Sequence, residues 1–174
     1  MKNYQRTVSA WLEEPGKERN LPLVLEQDGH CTIPCAVDLN CIIEVPGDME
    51  PGAVFIYLPL MQLPEQTTAQ ITLINKAMQM NLFGLLTGGA HLGLDTRTNC
   101  IVLSFSSPVD ALDATLFKHV LNDMLEIAPN LQRQLQAVTN PESTIDQVAE
   151  SNHAFSKQAH LNRLNNTGKS AHRS

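Results

Sequence analysis

A chain of 174 residues holds one ordinary domain with a single hydrophobic core and is too short for two of average size, so one core plus a tail is expected. Its 18 acidic against 12 basic side chains leave a formal charge of −6, which repels phosphate backbones and anionic membrane surfaces and speaks against a nucleic-acid partner. No apolar run approaches the ~20 residues of a membrane span, and the start, Met1 to Arg6, is polar with no apolar signal-peptide core behind it, so a cytoplasmic protein is expected.

Taken in chain order, Tyr4, Val8, Trp11 and Leu12 recur at helical spacing and predict a short amphipathic helix that stops at Pro15-Gly16. From Leu21 to Leu63 the texture changes to strand-sized runs broken by turn residues: LPLVLE, QDGH, CTIPCAV, DLN, CIIEV, PGDMEPG and AVFIYLPLMQL. Gly29, Gly47 and Gly52 with their Asp neighbours are turn chemistry, and the whole reads as an antiparallel meander of three or four strands. Pro34 lacks a backbone donor and places its strand at an edge or beside a bulge.

Thr67 and Thr68 are candidate caps for a second helix running to about Phe83. One of its stripes is Ile71, Ile74, Met78 and Leu82; the other is Leu73, Ala77 and Met80. A helix apolar on two sides needs cover on two sides, one being its own sheet and the other a second subunit. Gly88-Gly89 turns the chain into AHLGLD, and a polar turn from Thr96 to Asn99 leads into CIVLSFS, a hairpin of two strands. Asp110 is a candidate cap for a third helix whose stripe runs from Leu112 through Leu116, Phe117, Leu121, Met124, Ala128 and Leu131 to Leu135, with Pro129 expected to kink it or start a new segment.

The expected domain is residues 1–138. Residues 139–174 form a polar tail of charge +1, which leaves −7 on the body. Such a tail buries too little apolar surface to fold alone, although Thr144 and Gln147 look like a capping box ahead of a weak stripe of Ile145, Val148, Phe155 and Leu164.

Chemical motifs are absent: the chain has no phosphate loop, nucleophile elbow, HExxH or GxGxxG. Cys31, Cys35 and Cys41 fall at even spacings within strand-like sequence and share a face with apolar neighbours; with Cys100 they read as buried reduced thiols, since no CxxC pair exists. The histidines are scattered with no nucleophile, base and orienting group at readable spacing. Catalytic residues, metal ligands and cofactors are therefore expected to be none.

Residues 81–95, NLFGLLTGGAHLGLD, followed by CIVLSFSSPVDALDATLF, resemble the class I type III secretion chaperones, the Tir chaperone family. The shared pattern is an apolar helix ending near Asn-Leu-Phe, a Gly-Gly turn, a strand ending Leu-x-Leu-Asp, a second strand, a Pro-x-Asp step and a closing amphipathic helix. The turn material of residues 46–52 and the tail exceed what a minimal member needs. The resemblance implies a homodimeric α/β (α+β) fold that binds the extended N-terminal segment of an effector in the bacterial cytoplasm, keeps it soluble and delivers it to the secretion apparatus. Acidity would keep such a holder soluble while exposed apolar surface grips the cargo.

Val8, Trp11, Leu12 and Ile33, on the first helix and the Pro-interrupted strand, are the candidate effector-binding residues, although the same stripe would also serve simply to pack that helix on the sheet. Ile74, Met78 and Leu82 are the candidate dimer-interface residues, with the following strand at or near the contact. The competing readings are a relative that binds a secretion regulator, a cysteine-dependent redox enzyme, and a general interaction module.

Overall fold

Asn3 opens the first helix by accepting the Arg6 N–H at 2.9 Å, which gives one first-turn donor a partner. In the computed structural model, which describes residues 3–139, this helix, α1, spans Tyr4–Arg19. It runs a turn past the expected stop at Pro15-Gly16, because Pro15 removes only its own N–H and is buried along with Gly16. The helix ends at Asn20 in the left-handed region (φ 53°), where the N–H groups of Asn20 and Leu21 reach Lys17 O at 3.2 Å and Gly16 O at 3.0 Å. Gly16 is required for another reason: a Cβ there would stand 2.7 Å from Leu21 O and 3.2 Å from Leu23 N, so the chain folds back this closely only over a glycine.

Residues 21–26, expected to be a strand, alternate like one, with Leu23 and Leu25 buried and Val24 exposed, yet they join no ladder. Five strands do: β1 (His30–Ala36), β2 (Leu39–Glu44), β3 (Ala53–Gln62), β4 (His91–Asp95) and β5 (Cys100–Pro108). They form one antiparallel sheet in the order β1-β2-β3-β5-β4. Alternation puts Ile33, Cys41, Ile43, Ile56, Leu58 and Leu103 wholly in the core, whereas Thr32, Pro34 and Asn40 on the opposite parity are exposed. β1 is an edge strand and also carries a bulge, so Pro34 meets both expected conditions: Pro34 pairs with Asn40 and Ala36 with Leu39, leaving Cys35 as the extra residue. A second bulge leaves Leu60 unpaired between Pro59↔Val102 and Met61↔Ile101. The loop of residues 46–52 is tied to α1, for the Tyr4 ring lies where a Gly52 Cβ would be and Gln5 Nε2 donates to Val45 O at 2.9 Å.

The second helix, α2, spans Thr67–Met80, and its N-cap is Gln66 rather than either threonine. It ends short of Phe83 because a separate 3-10 turn, Leu82–Gly84, intervenes, with Phe83 itself at φ 61°. Of its two stripes the structure buries Leu73, Ala77 and Met80. The third helix, α3, spans Ala114–Thr139. Its cap is Asp113, whose Oδ1 accepts the Leu116 N–H at 2.8 Å; Asp110, the expected cap, lies in a short 3-10 turn one step earlier. Pro129 neither ends nor divides α3, which buries Phe117, Leu121, Met124, Ala128, Leu131 and Leu135 along one stripe. Lys118 of α3 reaches Glu14 and Glu18 of α1, both at 2.6 Å, and Arg19 donates to Asn122 at 2.6 Å, so the two helices lie flank to flank. The helix, strands, helix, strands, helix order is as the sequence predicts; the tail, Thr139 apart, lies outside the described residues.

Candidate functional site

Two apolar surfaces are left uncovered by this packing. The first lies along α1. A helix of this length has a core-facing line, here Tyr4, Val8, Leu12 and Pro15, and two flanks. One flank meets α3 through Glu14, Glu18 and Trp11, whose ring stands 5.6 Å from that of Phe117 at a tilt of 42°. The other flank, Glu13, Gly16, Lys17 and Asn20, faces Leu21, Pro22, Leu23 and Val24 across an open groove of about 490 Å³. Val24 is 62 % exposed there and Leu21 also reaches solvent, while the Val24 backbone amide lies against the Cys31 sulfur of β1. The groove thus adjoins an edge strand.

The second surface is the outer side of α2 and the turn that follows. Met78 is 64 % exposed, Phe83 84 % and Leu85 81 %, with Ile71 and Leu82 also in solvent and Ile74 partly covered. From Gln66 to Leu94 the sole Asp, Glu, Lys or Arg is Lys76, in a chain of net charge −6. The turn is held down rather than loose: Asn81 Nδ2 donates to Leu92 O and Asn81 Oδ1 accepts the Leu92 N–H, both at 2.7 Å. Phe83 in the left-handed region is a rare conformation for a bulky side chain, sustained here by an anchored frame that points the residue into solvent.

The sequence pattern of the Tir chaperone protein (CesT) family matches residues 11–132. That is well over half of the chain. This protein belongs to the Tir chaperone (CesT) family.

No curated protein sequence matches it at a significant level. Among solved structures it is similar to the ExsC-ExsE complex, at a TM-score of 0.59 and 17 % identity over 78 % of this chain and 97 % of that one. It is also similar to the HopA1-SchA chaperone-effector complex, at 0.54 and 19 % over 76 % and 98 %, and to the ExoU-SpcU complex from Pseudomonas aeruginosa, at 0.53 and 18 % over 77 % and 98 %. These likenesses carry the fold, and the fold agrees with the one the Asn-Leu-Phe and Gly-Gly pattern implied for a class I secretion chaperone.

Within this CesT fold the four candidate cargo residues divide. Val8, Leu12 and Ile33 are wholly buried and pack α1 onto the sheet. Trp11 is half-buried on the α3 flank, on the opposite side of α1 from the groove. Sequence reading passed over Leu21 and Val24 because the LPLVLE run looks like an ordinary strand; the signal available was its proline and the helix end just before it. Of the three interface candidates, Met78 lies exposed on the outer side of α2 with Ile74 at its margin, and Leu82, in the 3-10 turn that follows, is also well exposed.

All four cysteines are free, and burial pushes every thiol above its ordinary range, Cys41 most of all. His30 stands between two carboxylates, Nδ1 3.4 Å from Asp28 and Nε2 3.5 Å from Glu44, so neither ring nitrogen faces a nucleophile. Among the described residues no three His, Cys, Asp or Glu side chains gather as a metal site, and no helix is long and apolar enough to cross a membrane.

Thiols held protonated by burial react slowly, since the thiolate is the nucleophile. Iodoacetamide at pH 8 is expected to label the native protein no faster than it opens, Cys35 first, and all four sites promptly once urea unfolds it. Any cysteine of the folded protein labelled within seconds contradicts this and reopens the redox reading.

Proposed function

We propose that this CesT-family protein is a type III secretion chaperone that binds the extended N-terminal segment of an effector, keeps it soluble and secretion-competent, and delivers it to the secretion apparatus. The observation that supports this best is an exposed apolar groove adjoining an edge strand. An unfolded segment loses roughly 1 to 2 kcal/mol of backbone entropy for each residue it orders, so a few polar contacts do not hold it. Strand addition along the outer edge of β1 beyond His30, whose carbonyl already accepts the Glu26 N–H at 2.7 Å, supplies main-chain hydrogen bonds, and the Leu21–Val24 side of the groove supplies apolar seats for alternate side chains. Cargo binding in this scheme needs neither nucleotide nor metal, for release follows from differential affinity.

The second surface fits a second copy of the chain. Two copies of an acidic protein repel over most of their area, and the charge-poor, apolar outer side of α2 is where they can meet. Ile74, Met78 and Leu82 remain the proposed interface, to which Phe83 and Leu85 add.

Three experiments test these proposals. Mass spectrometry of what co-purifies with the full chain from its own cells is expected to find a secreted protein held by its N-terminal segment. Val24→Asp is expected to weaken that segment's binding at least tenfold with little change in melting temperature, because Val24 is mostly in water already. Trp11→Ala should do the reverse, costing about 2 to 3 kcal/mol of stability as a packing residue while sparing affinity. Full affinity in Val24→Asp removes the groove from the account. For the dimer, Met78→Asp leaves an unpaired charge in a dry interface at a cost of several kcal/mol, so light scattering should show a folded monomer. A monomeric unmodified protein at micromolar concentration contradicts the interface.

A further inference from the structure

Pro129 has no N–H, so the bond that residue 129 of a helix makes to the carbonyl of residue 125 is missing in α3. The Cys35 thiol takes its place, with Sγ 3.1 Å from Leu125 O. Cys35 is the extra residue of the β1 bulge, and its neighbour Pro34 also lacks a backbone donor. The second bulge is held in a matching way: Gln132 Nε2 donates at 3.0 Å to the carbonyl of Leu60, the extra residue of β3. Leu125 and Gln132 are seven residues apart, two turns along one side of α3. The helix therefore grips the sheet at both places where its strands depart from regular pairing.

We propose that Cys35 is a positioning residue for the β1 edge: through its bond to the carbonyl that Pro129 frees, α3 fixes where the edge strand bends and hence the line along which a partner strand would add. The functional meaning rests on the reading of β1 as the cargo edge, but the bond and its effect do not. A thiol is a weak donor, yet a half-buried carbonyl with no partner is costly, which is why this contact matters more than its type suggests. Burial keeps the thiol protonated and so able to donate.

Hydrogen exchange of the β1 amides in the full chain, without cargo, tests this and fails or succeeds separately from cargo binding. Cys35→Val fills the space of the thiol without a donor and is expected to speed exchange at residues 31–36 by about tenfold, the loss of one buried hydrogen bond. Cys35→Ser, which keeps a donor, should restore near-native exchange. Pro129→Ala gives Leu125 O an intrahelical donor without reconnecting β1 to α3, so adding it to Cys35→Val should leave the acceleration in place. Native exchange in Cys35→Val overturns the proposal; so does an acceleration that Cys35→Ser shares, which assigns the effect to packing, or one that Pro129→Ala removes, which assigns it to the unpaired carbonyl and not to the lost link between β1 and α3.

Discussion

Everything else in this fold is arranged around how α3 sits on the sheet. Its stripe from Phe117 to Leu135 is buried throughout, and it covers the core face that the five strands present by alternation. A regular sheet would need nothing more than apolar contact. This one bends at Cys35 and at Leu60, and each bend is met by a hydrogen bond from or to α3. With α3 seated, α1 is placed beside it by Lys118, Arg19 and the Trp11–Phe117 contact, and α2 is placed by its Leu73, Ala77 and Met80 stripe.

The consequence is a body whose interior is complete but whose exterior is not. Leu21 and Val24, beside the flank of α1 turned away from α3, and the side of α2 turned away from the core keep apolar surface in water, in an otherwise acidic protein. Isolated exposed leucines are ordinary; runs of them on a charge-poor, anchored frame are not. The frame matters as much as the surface, because a rigid presentation spares the entropy that a loose loop would lose on binding. Asn81, clamped to Leu92, and Gly16, passed closely by residues 21–23, are what make the two frames rigid.

Much of this was legible in sequence, for physical reasons. Period-two and helical patterns are strong in the runs that became β3, β5 and α3, and the two stripes of α2 announced a helix with one side to spare. Helix ends were misread where a neighbour decides them: Pro15 is tolerated because the turn beyond it is secured by Asn20, and Asp113 outcompetes Asp110 only through the geometry of the turn that Val109 begins. Residues 21–26 alternate like a strand yet join no ladder, and pairing is a tertiary fact that alternation does not contain. On α1, apolar spacing marks the core-facing line, where Val8 and Leu12 lie, and says nothing of the flank that stays open.

The central claim, that an extended partner segment adds along β1 beside the Leu21–Val24 groove, is most directly tested by comparing hydrogen exchange of the full chain alone and bound to its co-purified partner. The account predicts new protection concentrated in residues 21–37, with the amides of β5, already paired on both sides, unchanged. Protection confined to α2 and residues 82–86, with residues 21–37 exchanging as in the free protein, would contradict it.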